Sequence, residues 1–308
     1  MNALANTVVA PRVETGVAAQ WNLSIGGIQI QISAAPGMKA ALRAPADSFK
    51  AAGDRPVAIK LTLDWADHLE HLGDLIFDSG ALWRLFKNGE RWIFDFATPL
   101  FGSAPYKRMV CDSAFSAGEI LLSTQYFDRN STVYPLEYPL DEVLVTHRLM
   151  HDSGVEIHGC GLVSEDRKGL LFVGHSGAGK STTARLWGRS KAATVLSDDR
   201  IILRARGDGV WMYGTPWHGD EGLASPARSR LDSVFLLEHA TVNSMKPLRA
   251  SQAVSELLAR TFVPMHSAQA LNEAIKVLEA VVAQAPNFKF GFVPDQSSVQ
   301  YAAVFDAN

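Results

Sequence analysis

The segment Gly169–Thr183, GLLFVGHSGAGKSTT, constrains what this chain can fold into more than any other stretch. Gly174, Gly179, Lys180 and Ser181 fit the G-x-x-x-x-G-K-[ST] spacing of a phosphate-binding loop. The apolar run Leu170–Val173 predicts a buried strand before the loop, and Thr182–Trp187 begins a helical pattern after it. In a strand–loop–helix of this kind the glycines let successive backbone N–H groups turn inward and cradle phosphate oxygens. The helix start adds the positive end of its dipole. The expected nucleotide-binding residues are Gly174, His175, Ser176, Gly177, Ala178, Gly179, Lys180, Ser181 and Thr182. Lys180 is expected to reach the outer phosphates and the Ser181 hydroxyl to hold Mg²⁺. His175 occupies a variable position and is not expected to be catalytic.

Around this segment the chain divides in two. Ile28, Ile30 and Ile32 alternate after Gly26-Gly27, Ile59–Trp65 alternates again, and Asn88-Gly89 joins LWRLFK to ERWIFDF as a hairpin. A further strand is expected over Glu119–Phe127. With residues 1–20 as a flexible lead-in, residues 1–137 read as a β-rich domain whose tryptophans are core rather than a recognition surface. Asp128–Ser131, Pro135 and Pro139 mark the boundary. Residues 138–308 then carry a helix from Leu140, a strand over Val155–Val163 that enters the loop strand antiparallel, and a strand over Ala193–Leu196. A hairpin around Gly207-Asp208-Gly209 follows, with a strand over Leu231–Leu237 and helices over Ser251–Phe262 and Ser267–Ala285. Leu271, Ile275, Leu278, Val282 and Ala285 form the expected core stripe of the last helix. Lys289–Val293 and Val299–Val304 are expected to be edge strands.

Charge and cysteine content narrow the partners. A net charge of −3 gives no electrostatic footprint for nucleic acid or an acidic membrane surface. Two cysteines, Cys111 and Cys160, suit a reducing compartment and form neither a disulfide framework nor a zinc site. The start MNALANTVVAPRVETG lacks the pattern of a signal peptide, so a cytoplasmic location is expected.

The chemistry is read from Asp198-Asp199, which ends the strand after the loop helix. In a parallel sheet the carboxyl ends of neighbouring strands face one crevice. One carboxylate can help hold Mg²⁺, and the other can accept a proton from an attacking hydroxyl.

His158-Gly159, GLLFVGHSGAGKSTTARLW and VLSDDRIIL together resemble the catalytic domain of HPr kinase/phosphorylase over Val155–Leu203. The ATP-dependent phosphoenolpyruvate carboxykinases are more distant cousins. The resemblance implies a mixed-sheet α/β P-loop kinase domain and a kinase that uses ATP and Mg²⁺ to phosphorylate a serine of a protein or peptide. It implies Asp199 as base, His158 and Lys180 near the phosphates, and Ser181 and Asp198 as metal ligands. Glu221, in GTPWHGDEG, is the nearest counterpart of the family's downstream acidic ligand. Arg228, Arg230 and Arg249 are the candidates for its phosphate-contacting arginine. The Pro-Gly-Arg-Asn segment tied to the family's phosphorolytic reaction is missing, so neither that reaction nor HPr as substrate follows. Kinship to hexameric kinases implies self-association.

Three other readings compete. A transporter ATPase requires an LSGGQ-like segment, which the chain lacks. A metabolite kinase places an aspartate at a similar distance from the lysine, but without the antiparallel entry at His158 or the hairpin after Asp199. A nucleotide-gated binding module needs no carboxylate beside the transferred phosphate.

Overall fold

The computed structural model describes residues 19–70, 73–80, 82–190 and 193–305; of the lead-in expected over residues 1–20, residues 1–18 lie outside them. Among the described residues the chain is a mixed α/β protein with two mixed sheets, few helices and roughly two domains.

Period-two alternation builds the first sheet. Its strands are β1 (Gln20–Ile25), β2 (Ile28–Ala34), β3 (Ile59–Ala66), β4 (Asp74–Asp78), β5 (Trp83–Asn88), β6 (Arg91–Thr98), β7 (Gly102–Cys111) and β8 (Ala117–Ser123). They lie in the order β1-β2-β3-β8-β7-β6-β5-β4, with β3 parallel to both its neighbours. One face buries Ile30, Ile32, Leu61, Leu63, Phe94 and Phe96, and Trp21, Trp65, Trp83 and Trp92 pack half-buried against that core. Asn88 pairs with Arg91, so the hairpin turn is Gly89-Glu90, one residue beyond the expected Asn88-Gly89. Strand β8 stops at Ser123, short of the expected Phe127, because the Tyr126 and Phe127 N–H groups both turn back to the Ser123 carbonyl.

Strand β7 has no counterpart in the sequence reading, and its composition explains why. Lys107 and Arg108 lie buried at mid-strand, where an apolar residue is the norm. Lys107 pairs with Glu137 at 3.2 Å, and Arg108 meets Asp95 with two hydrogen bonds of 2.5 and 2.8 Å.

Helix α1 (Leu140–Leu149) joins the two halves: Leu140, Val143, Leu144, Val145 and Leu149 complete the first core. Asp141 in its first turn is buried, and burial pushes its carboxyl up to about 7. A carboxyl whose folded pKa is raised contributes stability below the ordinary carboxylate range and loses it as pH rises toward about 7. Asp141→Asn can still accept the Glu142 N–H, which is 2.8 Å from Asp141 Oδ1. The variant is therefore expected to be more stable than the parent at pH 8 and no more stable at pH 4, by urea unfolding.

The remaining elements are β9 (Gly154–Ser164), β10 (Gly169–Val173), α2 (Lys180–Ser190), β11 (Ala193–Ser197), β12 (Arg200–Arg206), β13 (Gly209–Tyr213), β14 (Arg228–His239), β15 (Ser244–Pro247), α3 (Ala250–Leu258), β16 (Thr261–Phe262), α4 (Ala268–Gln284), β17 (Asn287–Phe292) and α5 (Gln296–Phe305). Hydrogen-bonded neighbours run β10-β9-β12-β13-β14 and return to β10, because the long strands β9 and β14 each change partner midway. Strand β10 alternates between two cores. Leu171 and Val173 face a core shared with α3 and α4, while Leu170 and Phe172 face one shared with α2 and α5. The tip of the β1–β2 hairpin docks on this half. A Cβ at Gly26 would fall 2.6 Å from Ile202 Cδ1, and Arg204 Nη1 donates to the Gly26 carbonyl at 2.8 Å.

Several expectations are corrected. Val299–Val304 lies in α5, not in an edge strand; Asp295 accepts the Ser297 N–H at 2.8 Å as an N-cap, and Val299 and Ala302 bury one helical face. Lys289–Val293 falls largely in β17, which is interior, paired with β14 on one side and β15 on the other. The helix expected to Phe262 ends at Leu258, and Thr261–Phe262 instead form β16 against β9. The buried stripe of α4 is Ala270, Ala274, Val277, Leu278 and Val281, so small alanines rather than Leu271 and Ile275 face the sheet. Strand β11 does not neighbour β10 directly, since β9 lies between them and leaves their carboxyl ends at one edge.

Candidate functional site

Strand β9 is the spine of the site. Along one edge it pairs with β16 at Glu156 and Ile157, then with β10 from Gly159 to Val163. Along the other it pairs with β12 from Gly154 to His158, then with β11 from Gly161 to Ser164. Both partners change at His158-Gly159. The His158 N–H donates to the Arg260 carbonyl at 2.8 Å, and the Gly159 N–H donates to the Asp199 carbonyl at 3.0 Å. The phosphate-loop motif leaves β10 at Val173, opposite Gly159, and the Asp198-Asp199 turn arrives at the same level. Partner changes of this kind open a crevice at the carboxyl ends of strands.

The loop between β10 and α2 has the backbone the motif demands. Gly177 and Gly179 have φ of +79° and +109°, the left-handed region that glycine adopts without strain. A Cβ at Gly179 would fall 2.7 Å from the Phe292 ring, whereas one at Gly177 would meet nothing within 4 Å. The loop apex is thus an open cradle on a packed base. Lys180 is almost fully buried, and its Nζ donates to the carbonyls of Gly174 at 3.0 Å and His175 at 3.1 Å. His239, absent from the sequence reading, places Nε2 2.7 Å from the Gly177 carbonyl. Gly179→Ala is expected to weaken nucleotide binding at least tenfold, because the loop must move off Phe292. Titration with a fluorescent ATP analogue measures this.

The two aspartates have different surroundings. Asp198 is buried; its Oδ1 accepts the Gly219 N–H and its Oδ2 the Glu221 N–H, both at 3.0 Å. A Cβ at Gly219 would lie 2.9 Å from Asp198 Oδ2, so glycine permits this approach. Asp199 is half-exposed; its Oδ1 lies 2.8 Å from His158 Nε2, and its Oδ2 takes Arg200 Nη1. Burial pushes the Asp199 carboxyl up, but the His158 hydrogen bond and the charges of Arg200, His158 and Lys180 outweigh it and hold the group below its ordinary value.

Arg200, Glu142 and Glu156 form a network that motif reading had not connected to the site. Arg200 Nε lies 3.0 Å from Glu142 Oε1 and 3.3 Å from Glu156 Oε1, and the guanidinium sits over the Phe262 ring at 4.3 Å. Glu156 and His158 are two apart on β9, with Arg200 opposite His158, so period two puts all three on one face. That alternation was the available signal, but register decided it. Arg228, by contrast, stacks on Trp211 at 4.8 Å. Arg200 and Arg260 lie within electrostatic reach of Lys180.

Hard oxygen donors near the loop fit Mg²⁺. Ser181 is in the first turn of α2, and Asp198 keeps lone pairs beyond its two backbone contacts. The Glu221 carboxylate is instead 3.3 Å from Arg185 Nη1. Among the described residues no cluster of three or more His, Cys, Asp or Glu could hold a metal. The hydroxyl-plus-carboxylate set suits an ion that keeps waters and phosphate oxygens in its shell. Cys160 lies beneath the site, fully buried, and burial pushes its thiol well up, so it is no nucleophile.

A cavity of about 390 Å³ opens beside Asp199 and Arg200, walled by Tyr138 and Glu142 of the connecting segment and by Pro216 and Trp217. The chain matches no known family model and no curated protein. No helix is long and apolar enough to cross a membrane among the described residues.

Proposed function

We propose that the chain is a cytoplasmic, ATP- and Mg²⁺-dependent kinase of the HPr-kinase type, transferring the γ-phosphate to a serine hydroxyl of a protein or peptide. In this reading residues 138–308 are the P-loop kinase domain and residues 1–137 a β-rich domain that contributes one wall of the acceptor cavity. The observation that carries it is the Asp199–His158 pair, 2.8 Å apart, in which Asp199 lines that cavity and lies within electrostatic reach of Lys180.

The backbone N–H groups of the loop and the Lys180 ammonium hold the nucleotide phosphates, with Lys180 exchanging the Gly174 and His175 carbonyls for phosphate oxygens. Bound Mg²⁺ would neutralise phosphate charge, with Ser181 and Asp198 as its protein-side holders. Asp199 receives the proton of the attacking hydroxyl. His158 and Arg200 each occupy one lone-pair site on its two oxygens, and further sites remain for the hydroxyl. A carboxylate held below its ordinary pKa is ionised at neutral pH. It takes the proton late, as the new oxygen–phosphorus bond forms and the bond to the leaving ADP oxygen breaks.

One observation favours a second reading, a metabolite kinase: a cavity of about 390 Å³ has the size of a small-molecule site. Incubation with γ-labelled ATP and Mg²⁺ in a lysate of the source cells, followed by mass spectrometry, separates the two. The expected result is one phosphoserine, absent with Lys180→Ala. Label on a metabolite would select the second reading, and nucleotide binding without any labelled product would overturn both.

A further inference from the structure

A second cavity, of about 310 Å³, lies on the other side of Glu142 from the acceptor cavity. Aromatic and apolar groups wall it: Phe77 and Trp83 from the first sheet, and Phe262, Pro264 and Met265 from the segment after α3. Its polar floor consists of Glu142, Thr146, His147 and Glu156.

The floor has two unusual properties. First, its charges do not balance. Glu142 and Glu156 are within hydrogen-bond reach of each other, and the one guanidinium beside both, Arg200, is also committed to Asp199. Burial, then the neighbouring Glu142 charge, push the Glu156 carboxyl well up. Second, a buried atom on a lining residue, His147 Nε2, has no hydrogen-bond partner, whereas Glu156 Oε1 meets Arg200 Nε at 3.3 Å. His147 Nε2 is an acceptor. His147 Nδ1 lies 2.7 Å from the Val143 carbonyl and must donate to it, which leaves a lone pair on Nε2; burial keeps that ring neutral. His266, stacked on His147 with ring centroids 5.2 Å apart, is shifted by burial toward its neutral form too. Of the two lining hydroxyls, Thr261 Oγ1 donates to the Leu257 carbonyl at 2.8 Å, and Thr146 Oγ1 has a single proton for the Glu142 carbonyl at 2.7 Å and Glu156 Oε2 at 2.6 Å.

Two carboxylates that share one guanidinium with Asp199, a spare imidazole acceptor and aromatic faces around them match a cation with several N–H donors. We propose that the cavity between Trp83 and Phe262 binds a primary ammonium group, seated on Glu142 and Glu156 against the aromatic wall. Where Glu156 carries a proton, the ammonium displaces it and that proton leaves to solvent. This assignment stands on the cavity itself and does not rest on the kinase reading.

Calorimetry on the full chain with n-butylammonium chloride and n-butanol tests it. The alkylammonium is expected to bind saturably and the alcohol not. Binding heats in buffers of different ionisation enthalpy are expected to show release of up to about one proton per ligand. Glu156→Gln is expected to weaken ammonium binding at least tenfold. Should that variant not fold, the proton-release measurement on the parent chain decides alone. Equal binding of the alcohol, no saturable ammonium binding, or binding without proton release would each overturn the proposal. N-acetyl-lysine amide and 1,5-diaminopentane then distinguish a protein side chain from a free amine as the source, and tighter binding of either supports the site.

Discussion

Asp199→Asn is expected to lower phosphoryl transfer about a thousandfold while leaving nucleotide affinity unchanged. The asparagine oxygen can still accept from His158, so the geometry at the β9 partner change is retained. What is lost, on the proposed mechanism, is acceptance of the hydroxyl proton. The Arg200 contact on the other oxygen is also lost, and Arg200→Lys separates the two effects. If Arg200 only orients Asp199, Arg200→Lys lowers turnover less than Asp199→Asn does and leaves the acidic limb of the pH profile nearer its original position. Single-turnover transfer from labelled ATP, with nucleotide affinity measured in parallel, tests the base assignment. Unchanged transfer in Asp199→Asn would remove it.

The largest effect on stability is expected from Arg108→Ala in the first sheet. Arg108 is 3 % exposed and Asp95 11 %, and the two side chains meet through a bidentate contact. Removing the guanidinium leaves a carboxylate with little water and no partner, a change that costs about 3–5 kcal/mol. The double replacement Arg108→Leu with Asp95→Leu removes both desolvation costs and is expected to lie within about 1 kcal/mol of the parent or above it. Urea unfolding of the two variants measures the difference. A cost below about 1 kcal/mol for Arg108→Ala would mean that the pair is solvated, contrary to its burial.

Much of the loop geometry was legible in the sequence because it is local. Gly174, Gly177, Gly179 and Lys180 are fixed by the dihedrals and reach that a tight glycine-rich strand-to-helix turn requires, and the strand and helix flanking them follow from apolar runs. Asp198 and Asp199 were legible as a pair, but their division of labour was not. Nothing in the dipeptide says that the first accepts two loop N–H groups and the second faces His158. Strand β7 was missed because buried Lys107 and Arg108 invert the alternation on which strand reading depends. Helix α5 was missed because its buried face is narrow, Val299 and Ala302, and its cap at Asp295 carries no apolar signal. The stripe of α4 was displaced because alanines, weak in any hydrophobicity pattern, are what let that helix approach the sheet.

By itself the sequence determined the glycine-rich strand–loop–helix, the β-rich character of the first half and the antiparallel entry into the loop strand, since each depends on residues within a few positions of one another. Tertiary structure alone decided what stands around Asp199. Glu142 comes from α1, Glu156 and His158 from β9, Arg200 from β12 and Phe262 from β16, and strand register brings the last four to one face. Register is set by which long-range pairings bury the most apolar surface and leave the fewest unpaired charges. No local pattern encodes that sum.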